Sequence, residues 1–138
     1  MLTAAQLREI AKQRISDAEI LFKEKAYEGA AYICGYSVEI GLKARICSLD
    51  WWLGFPSSLV ELSANQDRMK KVITHDLEIL LGISGESDSI KKTCLADWSI
   101  VVKWKPESRY YPPLQTSEAE ARAMIDASRK ILEVLKIL

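Results

Sequence analysis

Imidazole is almost absent from this chain: His75 is the single histidine among 138 residues. Metal centres built on paired histidines are therefore excluded. Net charge is absent too, because nineteen basic and nineteen acidic side chains cancel. That removes the overall Lys/Arg excess of a nucleic-acid backbone binder and leaves only a local basic patch open. Cys34, Cys47 and Cys94 are odd in number and without CxxC spacing, which speaks against a disulfide framework or a zinc site. They read as buried free thiols. No apolar run is long enough to span a bilayer, and the opening MLTAAQLREIAKQR lacks a signal peptide's unbroken apolar core. A cytoplasmic protein with no membrane partner is expected. Missing as well are a phosphate-cradling glycine-rich loop, a GxSxG elbow, a paired-His metal motif and a Cys–His dyad.

What is present is helical periodicity. From Thr3 to about Glu24, apolar residues recur at Leu7, Ile10, Ala11, Ile15, Ala18, Leu21 and Phe22, with Thr3 placed to cap the start. A tight connection around Lys25 to Tyr27 then implies an antiparallel helical hairpin. A further helix is expected from Thr74, capped by its hydroxyl, to Gly82, and another from Asp88 to about Lys103. The three prolines of KPESRYYPPLQ, Lys105 to Gln115, mark a loop. Ser117 with Glu120 three residues on is a capping box that opens the last helix. The strand signal is weak throughout. The fold expected is all-α, one domain over residues 1–138, an up-and-down bundle of four long helices plus a short one.

The second helix, Tyr27 to Cys47, is apolar or small on nearly every side and so belongs at the centre of the bundle. Gly29, Gly35 and Gly41 would each weaken an isolated helix by about 1 kcal/mol relative to Ala. Their presence implies that another element or a ligand comes close to its backbone. The same helix carries Glu39 and Lys43, spaced i,i+4 in the order that lets them meet. Two readings stand: a structural ion pair, or the floor of a polar site.

Several segments together carry a family resemblance. They are DAEILF at Asp17–Phe22, AYEGAAYICGYSVEIGLKA from Ala26, THDLEILL from Thr74, DWSIVVKW from Asp97, ESRYYP from Glu107 and SEAEARAMIDA from Ser117. In this order, over nearly the whole chain, they resemble the HEPN domains (higher eukaryotes and prokaryotes nucleotide-binding). The resemblance implies a small helical bundle, a homodimer, and work beside a nucleotidyltransferase or in a toxin–antitoxin pair. It implies a nucleotide- or RNA-associated binding module. The alternatives are a metal-independent RNA endonuclease toxin, or a non-catalytic dimerisation scaffold. No cofactor or metal is implied.

The residues that would carry such functions are few. Arg68 and His75, with six residues between them, sit at the edge of the Arg-to-His spacing that marks the family's endonucleases. In that chemistry the arginine stabilises the scissile phosphate and the imidazole assists attack. Against it, the motif lies mid-chain, where His75 can simply occupy the first turn of a helix. Arg109 with Tyr110 and Tyr111 offers a guanidinium for phosphate and rings for bases. A plainer reading pairs Arg109 with a carboxylate such as Glu39. The expected phosphate- or nucleotide-binding set is Glu39, Lys43, His75, Arg109 and Tyr110. Trp51, Trp52 and Phe55 form either an interface patch or a local fold-back.

Overall fold

The computed structural model of the chain describes residues 2–49, 70–113 and 115–138. Among the described residues there are six α-helices, one 3-10 helix at Pro106–Tyr110, and no strand. The α-helices are α1 (Ala4–Lys23), α2 (Tyr27–Leu49), α3 (Leu77–Ser84), α4 (Ser87–Thr93), α5 (Leu95–Val101) and α6 (Glu118–Val134). None of these helices is long and apolar enough to cross a membrane.

The ends of α1 and α6 follow from their caps. Thr3 accepts from the Gln6 N–H while the Gln6 side chain accepts from the Thr3 N–H, and Ser117 and Glu120 do the same for α6. Each exchange satisfies donors a helix start leaves open. Between α1 and α2 the chain reverses at Lys25, which takes a left-handed φ of 62°. The Ala26 N–H returns to the Leu21 carbonyl at 2.8 Å and closes the turn.

Elsewhere the expected elements shift. Three helices are long, of 20, 23 and 17 residues, rather than four. The run read as one helix from Asp88 to Lys103 is two, broken at Cys94 with φ −144° and ψ 47°. Periodicity could not reveal the break, because Ile90, Cys94, Trp98 and Val101 stay buried across it. Glu78 ties the two pieces together, accepting from Lys91 of α4 at 2.7 Å and from the Trp98 indole of α5 at 2.9 Å. Asp76, not Thr74, caps α3, its carboxylate accepting from the Ile79 N–H at 3.0 Å. Gly82 lies inside α3, and the left-handed Gly85 (φ 76°) ends it.

α2 runs through the centre, packed against α1, α3 and α6. Cys34, Val38, Leu42, Ile46 and Cys47 are fully buried along it. Each large aliphatic side chain so buried stabilises the fold by about 1.5–3 kcal/mol. The Ser37 hydroxyl, buried with them, donates to the Ala11 carbonyl of α1 at 2.7 Å. Cys34, Cys47 and Cys94 are all buried free thiols. Burial pushes the Cys34 thiol up to about 12, so it is no nucleophile at neutral pH.

α6 is fastened to α1 by charge. Glu19 accepts from both terminal nitrogens of Arg122, at 3.2 and 3.0 Å, and from Arg129 at 3.2 Å. The Arg122 hydrogen bonds, ahead of other causes, hold the Glu19 carboxyl below its ordinary range. A depressed folded pKa stabilises above the unfolded carboxyl value, about 4.3, and the benefit fades as pH falls through the folded value. Below about pH 4.3, the urea midpoint of the wild type should therefore drop more steeply than that of Glu19→Gln. At pH 7 the variant should be less stable by no more than about 1 kcal/mol, since the groups are partly wet.

Candidate functional site

Tyr32, Tyr36, Glu39 and Lys43 follow one another along α2 at steps of four, three and four residues, which places them on one helix face. Among the described residues Glu39 is the only buried charged one, 3% exposed in the core of the helical packing. Such a carboxylate must be answered by partners. It is answered twice. Oε1 accepts from the Lys43 ammonium at 2.7 Å, and Oε2 lies 2.9 Å from Nδ1 of His75.

The second contact defines the imidazole. A carboxylate only accepts, so the proton of this bond is on Nδ1, and whenever the ring is neutral it is Nε2 that holds the lone pair. His75 owes its place to the entry of α3. It stands just before the Asp76 cap, while the Thr74 hydroxyl accepts from the Asp76 N–H at 3.1 Å and tightens the approach. The His75 side chain remains 55% exposed, although its anchor, Glu39, is dry. A buried carboxylate thus orients an accessible ring, the usual way a protein prepares an imidazole for a ligand or a proton.

From His75 the face continues through aromatics. The His75 ring meets Tyr36 edge-on at 6.1 Å between centroids, and the Tyr36 and Tyr32 hydroxyls share a hydrogen bond of 3.2 Å. The Tyr32 hydroxyl, then burial, push the Tyr36 phenol up to about 12. Trp104 packs edge-on against Tyr36 at 4.9 Å and donates its indole N–H to the Tyr32 carbonyl at 3.0 Å. Its ring lies directly on Gly35, where a Cβ would come within 2.2 Å of three ring atoms. Gly41 likewise admits Leu132 of α6, whereas at Gly29 a side chain would meet only ordinary contacts.

Arg109 sits at the far end of this strip. It donates to the Pro106 carbonyl at 3.1 Å, and its guanidinium lies 4.8 Å from the centre of the Tyr110 ring. Tyr110 first, then Tyr32, raise its pKa and keep it charged. Among the described residues no carboxylate lies within ion-pair distance of Arg109. So Glu39, Lys43 and His75 are in contact, while Arg109 and Tyr110 lie beyond the Tyr36–Tyr32 bridge. The pairing of Arg109 with Glu39 does not occur. Arg68 and the Trp51, Trp52 and Phe55 segment lie outside the described residues. Among the described residues no group of His, Cys, Asp and Glu is arranged to hold a metal.

Sequence reading missed the tyrosine bridge and the seat of Trp104. The first had a signal, the helical spacing of Tyr32 and Tyr36 with Glu39. The second had half of one, Gly35, whose partner 69 positions away no local pattern reveals.

The order of segments that resembles one family is matched by a family model as well: the HEPN domain, over residues 4–138. The chain belongs to the HEPN domain family, whose members are generally associated with nucleotides or RNA. No curated protein and no solved structure matches it.

Proposed function

We propose that this HEPN protein is a binding module for the phosphates of a nucleotide or of RNA, with Arg109 and His75 as contacting groups at the two ends of the strip. Glu39 fixes the His75 ring and Lys43 balances the Glu39 charge. The supporting observation is the combination of an exposed imidazole anchored on a dry carboxylate with a guanidinium that has no acidic partner among the described residues. An uncompensated guanidinium offers paired N–H donors to phosphate, and Tyr110 beside it offers a ring to a base. The module works as a homodimer, beside a nucleotidyltransferase or within a toxin–antitoxin pair. That part rests on the family, and native mass with and without the neighbouring gene product checks it.

ATP or GTP at a hundredfold excess over Kd should raise stability by about 2.7 kcal/mol. Arg109→Ala should weaken this ligand roughly tenfold or more, read as a lost thermal shift, because a charge-assisted phosphate contact disappears. An unchanged thermal shift in Arg109→Ala removes Arg109 from the assignment.

One observation favours a second reading, a metal-independent endonuclease using His75 with Arg68 or Arg109. The Glu39 bond leaves Nε2 as a base for a ribose hydroxyl. RNA cleaved in EDTA by the wild type but not by His75→Ala would establish it. Intact RNA with retained binding leaves the module, and neither binding nor cleavage leaves the dimerisation scaffold.

A further inference from the structure

Beside the strip just described, the N-terminal half of α2, the Lys103–Pro113 segment and the N-terminal half of α6 enclose a cleft of about 740 Å³. That lies within the roughly 300–1,000 Å³ of small-molecule sites. Its walls are largely apolar and aromatic, with Trp104, Tyr32, Ile100, Met124 and Pro113 among them. Ile100 is 40% exposed there, a large apolar side chain left facing the opening.

Charge on the cleft is lopsided once each group's obligations are counted. Two carboxylates line it, Glu28 and Glu120. Glu28 accepts from the backbone N–H groups of Gln115 and Thr116 and so pins the loop before α6. Glu120 accepts from the Ser117 hydroxyl at 3.0 Å in the cap of α6. Both acids are therefore committed to backbone and cap. Three cations, Lys103, Lys105 and Arg109, line the same cleft from a single segment. Among the described residues none of the three has a carboxylate within ion-pair distance. A largely apolar, aromatic hollow with one cationic lip is complementary to an anion that carries a flat apolar body.

We propose that this cleft receives the base and sugar of a nucleotide unit, with its phosphate on the Lys103–Lys105–Arg109 lip. The inference rests on the nucleotide reading above and replaces the single exposed ring of Tyr110 with an enclosed seat for base and sugar. Bases are held by stacking on aromatic walls, and an arginine fork with flanking lysines holds phosphate. The same chemistry is offered by a free mononucleotide and by one residue of a single-stranded RNA, and the arms below separate them.

The test is calorimetric titration of the full chain with AMP, adenosine, inorganic phosphate and a short oligoadenylate RNA. Ala123→Trp plugs the cleft from α6 at a half-buried position and leaves the His75 and Arg109 side chains unsubstituted. A double variant, Lys103→Glu with Lys105→Glu, reverses two exposed charges and leaves the core intact. Expected is binding of AMP or the oligonucleotide that falls tenfold or more in each variant, with adenosine and phosphate alone each at least tenfold weaker. Binding of the oligonucleotide without AMP, equally sensitive to both variants, supports the cleft and assigns it to RNA. Wild-type affinity in Ala123→Trp with affinity lost in Arg109→Ala overturns the cleft and leaves the phosphate reading standing. No binding of any probe overturns both.

Discussion

Gly35→Ala is expected to destabilise the fold by about 2–3 kcal/mol, although alanine is the better helix former by about 1 kcal/mol. The added Cβ would sit 2.2 Å from ring atoms in the middle of the Trp104 indole, not from the tip of a flexible chain. The whole ring must leave. With it go its N–H bond to the Tyr32 carbonyl, worth about 1 kcal/mol, and the packing against Tyr36. The loss of burial and of this bond outweighs the gain in propensity. Gly82→Ala is the control, since nothing lies within 4 Å of its Cβ. There propensity acts alone and the variant should gain about 0.5–1 kcal/mol. Urea unfolding of the two variants should thus move in opposite directions. A Gly35→Ala protein as stable as wild type would mean that Trp104 does not rest on α2.

Glu39→Ala should cost about 2–3 kcal/mol, because it takes the shared acceptor from two cationic or donor groups beside a dry site. The figure is below that of a fully buried pair because His75 is 55% exposed, while the Lys43 side chain is only 13% exposed. Glu39→Gln keeps an acceptor for one partner and should cost about half as much. A second readout separates positioning from stability. In the wild type the ¹⁵N shifts of His75 should report the Nδ1–H tautomer, and in Glu39→Ala the Nε2–H form should prevail. If the tautomer is unchanged in the variant, Glu39 does not orient the ring.

Legibility in the sequence followed the range of the forces involved. The caps at Thr3 and Ser117 and the burial of α2 were readable because they depend on neighbours within four residues or on composition around one helix. The Glu39–Lys43 pair was readable for the same reason, one turn of helix separating the partners. Cys94 marks the limit. Its backbone leaves the helical region while the apolar spacing continues unbroken, so a pattern of side chains carried no trace of the break.

The site divides along the same line. His75 stands out in the sequence as the only imidazole, and Arg109 as a cation among tyrosines and prolines. That His75 contacts Glu39, 36 residues away, is a fact of tertiary packing: the entry of α3 is laid against α2. The same packing denies Arg109 that carboxylate and places it with Tyr32 and Tyr110 at the edge of the cleft. By itself the sequence determined an all-helical chain, its caps, its central apolar helix and its HEPN membership, since periodicity, turn chemistry and residue order are local or cumulative. Only the tertiary structure decided which polar groups meet. Burial makes an unpaired carboxylate costly, and the helix that satisfies it is chosen by how the apolar faces fit, not by the residues beside it in the chain.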